Sequence, residues 1–169
     1  AVIMATSAAG KTAQYKLTVK TPSVKLNVSA KTLYVKGTPA TVTLKTTTAG
    51  VTGKVTYTSS KSSVASVDAK GKVTAASAGT AVITAKCGNY KATCKITVKK
   101  PTVKATASVN TLFVGGTSQV KVDRTGLTGK VTYGSSSKSV ATVSTSGKIT
   151  AKKAGTATIT VKCGSYKAT

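Results

Sequence analysis

Residues 50–93 read GVTGKVTYTSSKSSVASVDAKGKVTAASAGTAVITAKCGNYKAT, and residues 126–169 read GLTGKVTYGSSSKSVATVSTSGKITAKKAGTATITVKCGSYKAT. Laid together without a gap, 30 of the 44 positions are identical. The offset of 76 residues, Gly79 to Gly155, is the length of a small domain and too long for one turn of a solenoid. Inside the repeat the periodicity is two. Ala81-Val82-Ile83-Thr84-Ala85-Lys86-Cys87 alternates small or apolar residues with polar ones. Ala92, Cys94, Ile96 and Val98 fall on one face of the segment that follows. Alternation over this length is the signature of a half-buried β-strand, and the abundance of Thr and Val suits a pleated surface. No stretch keeps apolar residues at helical spacing for three turns.

Working outward, the complete repeat predicts strands near 24–28, 32–36, 40–47, 54–59, 64–68, 72–76, 79–87 and 91–99. Turn residues separate them: Lys36-Gly37-Thr38-Pro39, Ala49-Gly50, Ser59 to Ser63, Ala69-Lys70-Gly71, Ala78-Gly79 and Gly88-Asn89. Short strands punctuated every 8–12 residues predict an all-β sandwich. The second repeat follows the same plan: Val103 to Ala107 matches Val24 to Val28, and Thr111-Leu112-Phe113-Val114 matches Thr32-Leu33-Tyr34-Val35. Val19-Lys20-Thr21-Pro22 recurs as Val98-Lys99-Lys100-Pro101, a proline closing each ladder. The expected layout is therefore residues 1–20 as the last two strands of a preceding repeat, 21–100 as one complete repeat, and 101–169 as a repeat lacking its last strand. The short linkers carry no Gly/Ser run, so the units should sit close together and stiffly.

The 169 residues hold 26 Lys+Arg against 2 Asp+Glu, a formal charge of +24, with no His and no Trp. Arg124 is the one arginine. Lysines act as flexible point charges rather than planar forks, which suits diffuse attraction to a polyanion. Acidic glycans or cell-wall polymers are the expected targets, with a strong salt dependence. Few aromatics and one arginine argue against specific nucleic-acid recognition. No apolar run approaches the roughly 18 residues of a membrane span. The opening Ala1-Val2-Ile3-Met4-Ala5 lacks the form of a signal peptide and reads as the interior of a longer chain.

Together, Val55-Thr56-Tyr57-Thr58-Ser59-Ser60, Val64-Ala65-Ser66-Val67-Asp68, Gly71-Lys72-Val73-Thr74-Ala75 and Ala78-Gly79-Thr80-Ala81-Val82-Ile83-Thr84 resemble the bacterial immunoglobulin-like domains of group 2. Val140-Ala141-Thr142-Val143, Gly147-Lys148-Ile149-Thr150-Ala151 and Ala154-Gly155-Thr156-Ala157-Thr158-Ile159-Thr160 repeat the pattern. Tyr57 and Tyr133 stand where the family often has Trp. The resemblance implies tandem Ig-like sandwiches, non-enzymatic and without a cofactor. It places them in extracellular, surface or secreted bacterial proteins such as adhesins, or alternatively in phage particles. The accompanying functions are a stalk or adhesive module, a structural repeat of a virion or filament, or an accessory carbohydrate-binding module of a secreted enzyme.

The chemistry-bearing residues are few. General acid–base catalysis needs His, Glu or paired carboxylates, and Asp68 and Asp123 belong to different repeats. Asp68 opens an Asp-Ala-Lys-Gly turn, where an Asx bond is its ordinary role, and Ser144 replaces it in the second copy. Asp123 reads as a local ion pair with Arg124. Calcium asks for six to eight oxygens, more than two separated aspartates supply. Asn27, Asn89 and Asn110 lack the neighbouring acid that an isopeptide crosslink requires.

Cys87 and Cys94 lie on neighbouring strands of a hairpin, on the inward parity. Their counterparts are Cys163 and the position after Thr169; in residues 1–20 they are Ser7 and, allowing one inserted residue, Tyr15. Presence or absence as a pair favours a hairpin disulfide, which suits an oxidising setting. Two buried thiols are the competing reading. A turn at Gly88-Asn89 would set Cys87 opposite Tyr90, too far from Cys94 to bridge, whereas a turn centred on Tyr90-Lys91 would set them opposite. Lys91, Lys95 and Lys99, followed by Lys100, line the outward parity of the same segment. That stripe reads either as a polyanion contact or as protection of a strand edge. The charge total exceeds the 2–8 or so that solubility asks of a small domain. Partners are expected to be neighbouring Ig-like repeats and anionic polymers. The incomplete repeats at both ends read first as a fragment of a longer array; head-to-tail self-assembly by strand donation is the alternative, since residues 14–20 resemble the strand missing from the last repeat.

Overall fold

A computed structural model describes residues 1–169. The chain is all strand and turn. A hairpin of β1 (Val2–Thr6) and β2 (Thr12–Lys16) comes first and forms a two-stranded sheet of its own. The first repeat follows with β3 (Ser23–Leu26), β4 (Ala30–Tyr34), β5 (Thr41–Thr43), β6 (Thr46–Ala49), β7 (Thr56–Ser59), β8 (Ala65–Val67), β9 (Lys72–Ala75), β10 (Gly79–Cys87) and β11 (Tyr90–Lys99). The second contains β12 (Thr102–Ala107), β13 (Thr117–Thr125), β14 (Val131–Ser135), β15 (Ala141–Val143), β16 (Lys148–Ala151), β17 (Ile159–Cys163) and β18 (Tyr166–Ala168).

In the first repeat a four-stranded sheet in the order β4-β11-β10-β7 faces two smaller sheets, β3-β6 and β5-β9-β8. β4 runs parallel to β11, pairing Leu33 with Val98. The core lies between these layers. Leu33, Ala81, Ile83, Cys94, Ile96 and Val98 come from the large sheet, and Leu44, Val64, Ala65 and Val73 from the opposite side. Full burial of each Leu, Ile or Val contributes about 1.5–3 kcal/mol, so this cluster is the main source of stability.

The single strand expected at 40–47 is broken here. The Asn27 side-chain oxygen accepts the Lys45 amide at 2.9 Å, while the Leu44 amide donates to Gly71 O at 2.9 Å. The chain therefore leaves one small sheet at Thr43 and joins the other at Thr46. In the second repeat Thr106 stands in place of Asn27 and pairs regularly with Lys121, so β13 runs unbroken.

The second repeat has sheets β12-β13-β16-β15 and β14-β17-β18. Its fully buried apolar cluster is only Val120, Ile149 and Val161. Thr111-Leu112-Phe113-Val114, expected as a strand, is not one, and Phe113 is 94% exposed. The reason lies in the first repeat. There the corresponding strand β4 is held only by β11, through Lys95 to Lys99. In the second repeat no strand pairs with the corresponding segment.

The two repeats touch at one joint. The Thr38 amide donates to Gly126 O at 2.9 Å, and the Thr38 and Thr128 hydroxyls lie 3.0 Å apart. The Tyr34 ring packs on Gly126, and Gly37 sits against Pro101.

Candidate functional site

The β10–β11 hairpin carries Cys87, Cys94, Lys91, Lys95 and Lys99, and Lys100 follows it. Its turn is Gly88-Asn89, with Cys87 opposite Tyr90 and Cys94 opposite Ile83. This register corrects the expected disulfide. The two cysteines stand four pairs apart along the ladder, about 13 Å at 3.3 Å per residue, whereas a bridge needs α-carbons within about 7 Å. All three cysteines are free and buried. Cys94 is core, and burial raises its thiol pKa above the usual value. The Cys87 thiol donates to Gly53 O at 3.4 Å. Their inward parity, read from the sequence, reflects packing and not a bond.

The opposite parity faces solvent. Lys91, Lys95 and Lys99 are exposed on β11, and Lys100 is exposed just beyond it. The register adds a residue that the sequence reading missed: Lys86 of β10 is paired directly with Lys91. Lys162 and Lys167 make the same pairing between β17 and β18. The signal was present as Lys-Cys-Gly-x-Tyr-Lys in both copies, but only the turn position reveals that the two lysines are neighbours. Like charges directly opposite are destabilising in a ladder. Threonines fill much of the rest of the face: Thr58 lies opposite Thr84, which lies opposite Thr93.

Neither carboxylate relieves this charge. Asp68 is turned to its own backbone, its Oδ1 accepting the amides of Lys70 at 2.8 Å and Lys72 at 2.9 Å. Ser144 Oγ accepts from Ser146 at 3.3 Å and Lys148 at 3.1 Å, the same turn built on a hydroxyl. The glycine of each turn has positive φ, Gly71 at 78° and Gly147 at 83°, and a tyrosine ring, Tyr57 or Tyr133, passes beneath it. Asp123 does not pair with Arg124 as expected. Neighbours in a strand point to opposite faces. Arg124 reaches Gly129 O instead, and the residue across the ladder from Asp123 is Lys104. No group of three or more His, Cys, Asp or Glu comes together to hold a metal ion.

A turn glycine seated over a tyrosine ring, and a hairpin with paired lysines beside its turn, recur in two stretches that match family models. Residues 53–100 match "Bacterial Ig-like domain", and residues 92–168 match "Bacterial Ig-like domain (group 2)". Residues 53–168 are built of bacterial Ig-like domains. Among solved structures, an Ig-like neighbour is the S-layer protein rSbsC(31-844), at 24% identity and a TM-score of 0.54, covering 87% of this chain and 26% of that one. SbsC domains 4 and 5 align at 24% identity and a TM-score of 0.52 over 88% of this chain and 94% of theirs. SbsC domains 4–9 align at 25% identity with a TM-score of 0.52, covering 87% and 29% respectively. This Ig-like chain thus spans about a quarter of the S-layer protein it resembles. No curated protein matches it.

Proposed function

We propose that this chain is a non-enzymatic segment of an extracellular bacterial protein, a stalk or adhesive module whose lysine faces attract anionic glycans or wall polymers. Its units are the tail of one repeat (1–20), a complete repeat (21–100) and a repeat short of its last strand (101–169). The observation that carries the reading is the cross-strand lysine pair, Lys86–Lys91 and Lys162–Lys167, placed alike in both repeats with no carboxylate beside it. A pair that costs stability and recurs is more economically explained by a ligand than by solubility, which one lysine would serve. The faces are exposed, and their charges are lysine ammoniums spread along strands. Such an array suits a flexible polymer better than a small molecule. The neighbouring S-layer protein supports a surface setting, and the joint at Tyr34, Thr38 and Gly126 suits a stalk that keeps its shape.

The test is binding to a polyphosphodiester of the wall-polymer type, an acidic glycan and a neutral glucan, across a salt series. Affinity for the two polyanions should fall steeply as the screening length shrinks from about 30 Å at 0.01 M to about 8 Å at physiological ionic strength. The neutral polymer should not bind. Loss of all polyanion binding at physiological salt would sink the adhesive role and leave only a spacer.

A further inference from the structure

Gly134 stands inside β14, at the edge of the sheet β14-β17-β18, where the backbone has no need of glycine. Its φ is not positive, unlike that of the turn glycines Gly129 and Gly147. The ladder to β17 runs without a bulge from Val131 to Ser135. A β-carbon at position 134 would meet no atom within 4 Å beyond its chain neighbours. Glycine weakens a strand interior, and its remaining use there is to let another molecule approach the backbone closely. The first repeat has Thr58 at this place, so the strand accepts a side chain.

Over Gly134 lies a notch of about 340 Å³, near the lower end of the roughly 300–1,000 Å³ typical of small-molecule sites. Thr132, Ser136, Thr160 and Lys162 wall it. Ser136 Oγ accepts the Thr158 amide at 2.8 Å, which leaves its own proton to donate. Lys167, directly opposite Lys162 in the ladder, brings a second ammonium to one end. The first repeat repeats these walls as Thr56, Ser60, Thr84 and Lys86, and Ser60 accepts the Val82 amide in the same way. Only Thr58 differs, and its side chain stands where Gly134 leaves the notch open.

Hydroxyls that donate and accept suit a partner that does both, and paired ammoniums ask for an anionic group between them. A sugar ring bearing a carboxylate supplies both. A polyphosphate chain offers acceptors alone. We infer that the notch over Gly134 holds one uronic-acid residue of an acidic glycan. Its carboxylate meets Lys162 and Lys167, and its ring hydroxyls meet Thr132, Ser136 and Thr160. The inference rests on the polyanion reading and narrows it: diffuse attraction belongs to the lysines of both repeats, and the choice of sugar to the second alone.

Calorimetric titration of the 169-residue chain tests this at 0.1 M ionic strength, where the screening length is about 10 Å. The probes are a short glucuronate oligomer, a polyphosphate of equal charge and a neutral glucose oligomer. Glucuronate should bind more tightly than polyphosphate, at about one oligomer per chain, and the glucose oligomer should not bind. Gly134→Thr fills the notch and should lose about tenfold in glucuronate affinity, which a binding isotherm resolves readily. It should also melt at a higher temperature, because threonine suits a strand better than glycine, so the loss does not come from misfolding. Thr58→Gly opens the same notch in the first repeat and should raise uptake to about two oligomers per chain. Polyphosphate affinity should follow neither change. Unchanged glucuronate affinity in Gly134→Thr, an equal loss for polyphosphate, or single uptake by Thr58→Gly overturns the inference while the polyanion reading stands. A glucose oligomer bound as tightly overturns the acidic class. Binding of neither anion removes the polyanion reading, and this inference with it.

Discussion

The ring of Tyr34, at the end of β4, lies directly on the α-carbon of Gly126, and a β-carbon at position 126 would overlap the ring. Gly126 also has φ of 68°, and its carbonyl accepts the Thr38 amide. Gly50, its counterpart in the first repeat, has φ of 63° but only ordinary contact with Pro22, at 3.6 Å. The two glycines separate backbone conformation from the joint. Gly50→Ala should cost the roughly 1–2 kcal/mol of a left-handed L-residue. Gly126→Ala should cost more and also loosen the repeats. Calorimetry reads the first effect and small-angle scattering the second. Tyr34→Ala in the Gly126→Ala background should recover part of the loss, a coupling that a double-mutant cycle measures. Equal costs at both glycines would mean that the joint contributes nothing.

The three thiols are predicted to be reduced and shielded. A thiol reagent should label all of them after denaturation and none before, and reducing agent should leave the melting temperature unchanged. Burial raises the Cys94 pKa in the folded state, so the unfolded thiol ionises first. That contribution to stability is therefore complete below the unfolded value of about 8.5 and is lost as pH rises through the folded one. Cys94→Ala should be less stable near neutrality, yet its stability should fall less steeply above about pH 8.5. Parallel pH profiles for the two proteins would contradict the burial argument.

The lysine pair should oppose stability while serving attraction. Lys91→Glu converts a like-charged pair into an opposite one, and should raise stability by about 0.2–1 kcal/mol at low salt. The same change should weaken polyanion binding severalfold, and Lys167→Glu should repeat both effects in the second repeat. Denaturant titration alongside polymer binding checks the opposition. A variant that gains stability and keeps full affinity would remove this face from the adhesive surface.

Asp68 should be replaceable by serine but not by alanine. Alanine leaves the Lys70 and Lys72 amides without their acceptor and should cost about 1 kcal/mol, the typical net contribution of an intramolecular hydrogen bond. Serine reproduces the turn that Ser144 already makes, so Asp68→Ser should stay within about 0.5 kcal/mol of the parent. Thermal unfolding of the two variants decides it. Equal losses would assign the carboxylate some role beyond the turn.

Much of this molecule was legible in the chain because strands advertise themselves. The alternation in Ala81 to Cys87 and Ala92 to Lys99 located β10 and β11 nearly to the residue, and the group 2 Ig-like resemblance agrees with the family matches. Local reasoning failed where a partner decides. Asn27 breaks the strand at Leu44 through a side-chain bond across 18 positions. Asp123 faces Lys104 rather than its neighbour Arg124. Thr111 to Val114 carries a strand pattern and is no strand. The cysteines show the same division: their inward parity was readable, but their separation depended on which two residues made the turn.

By itself, then, the sequence determined the repeat, the strand periodicity, the surplus of lysine over carboxylate and the side of each strand that turns inward. These follow from the chain's local order, since a pleat alternates whatever surrounds it. Only the tertiary structure decided the register that sets Lys86 against Lys91, the seat of Tyr34 on Gly126, and the break that Asn27 makes at Leu44. Each of those depends on which strand lies beside which, a relation that no single segment contains.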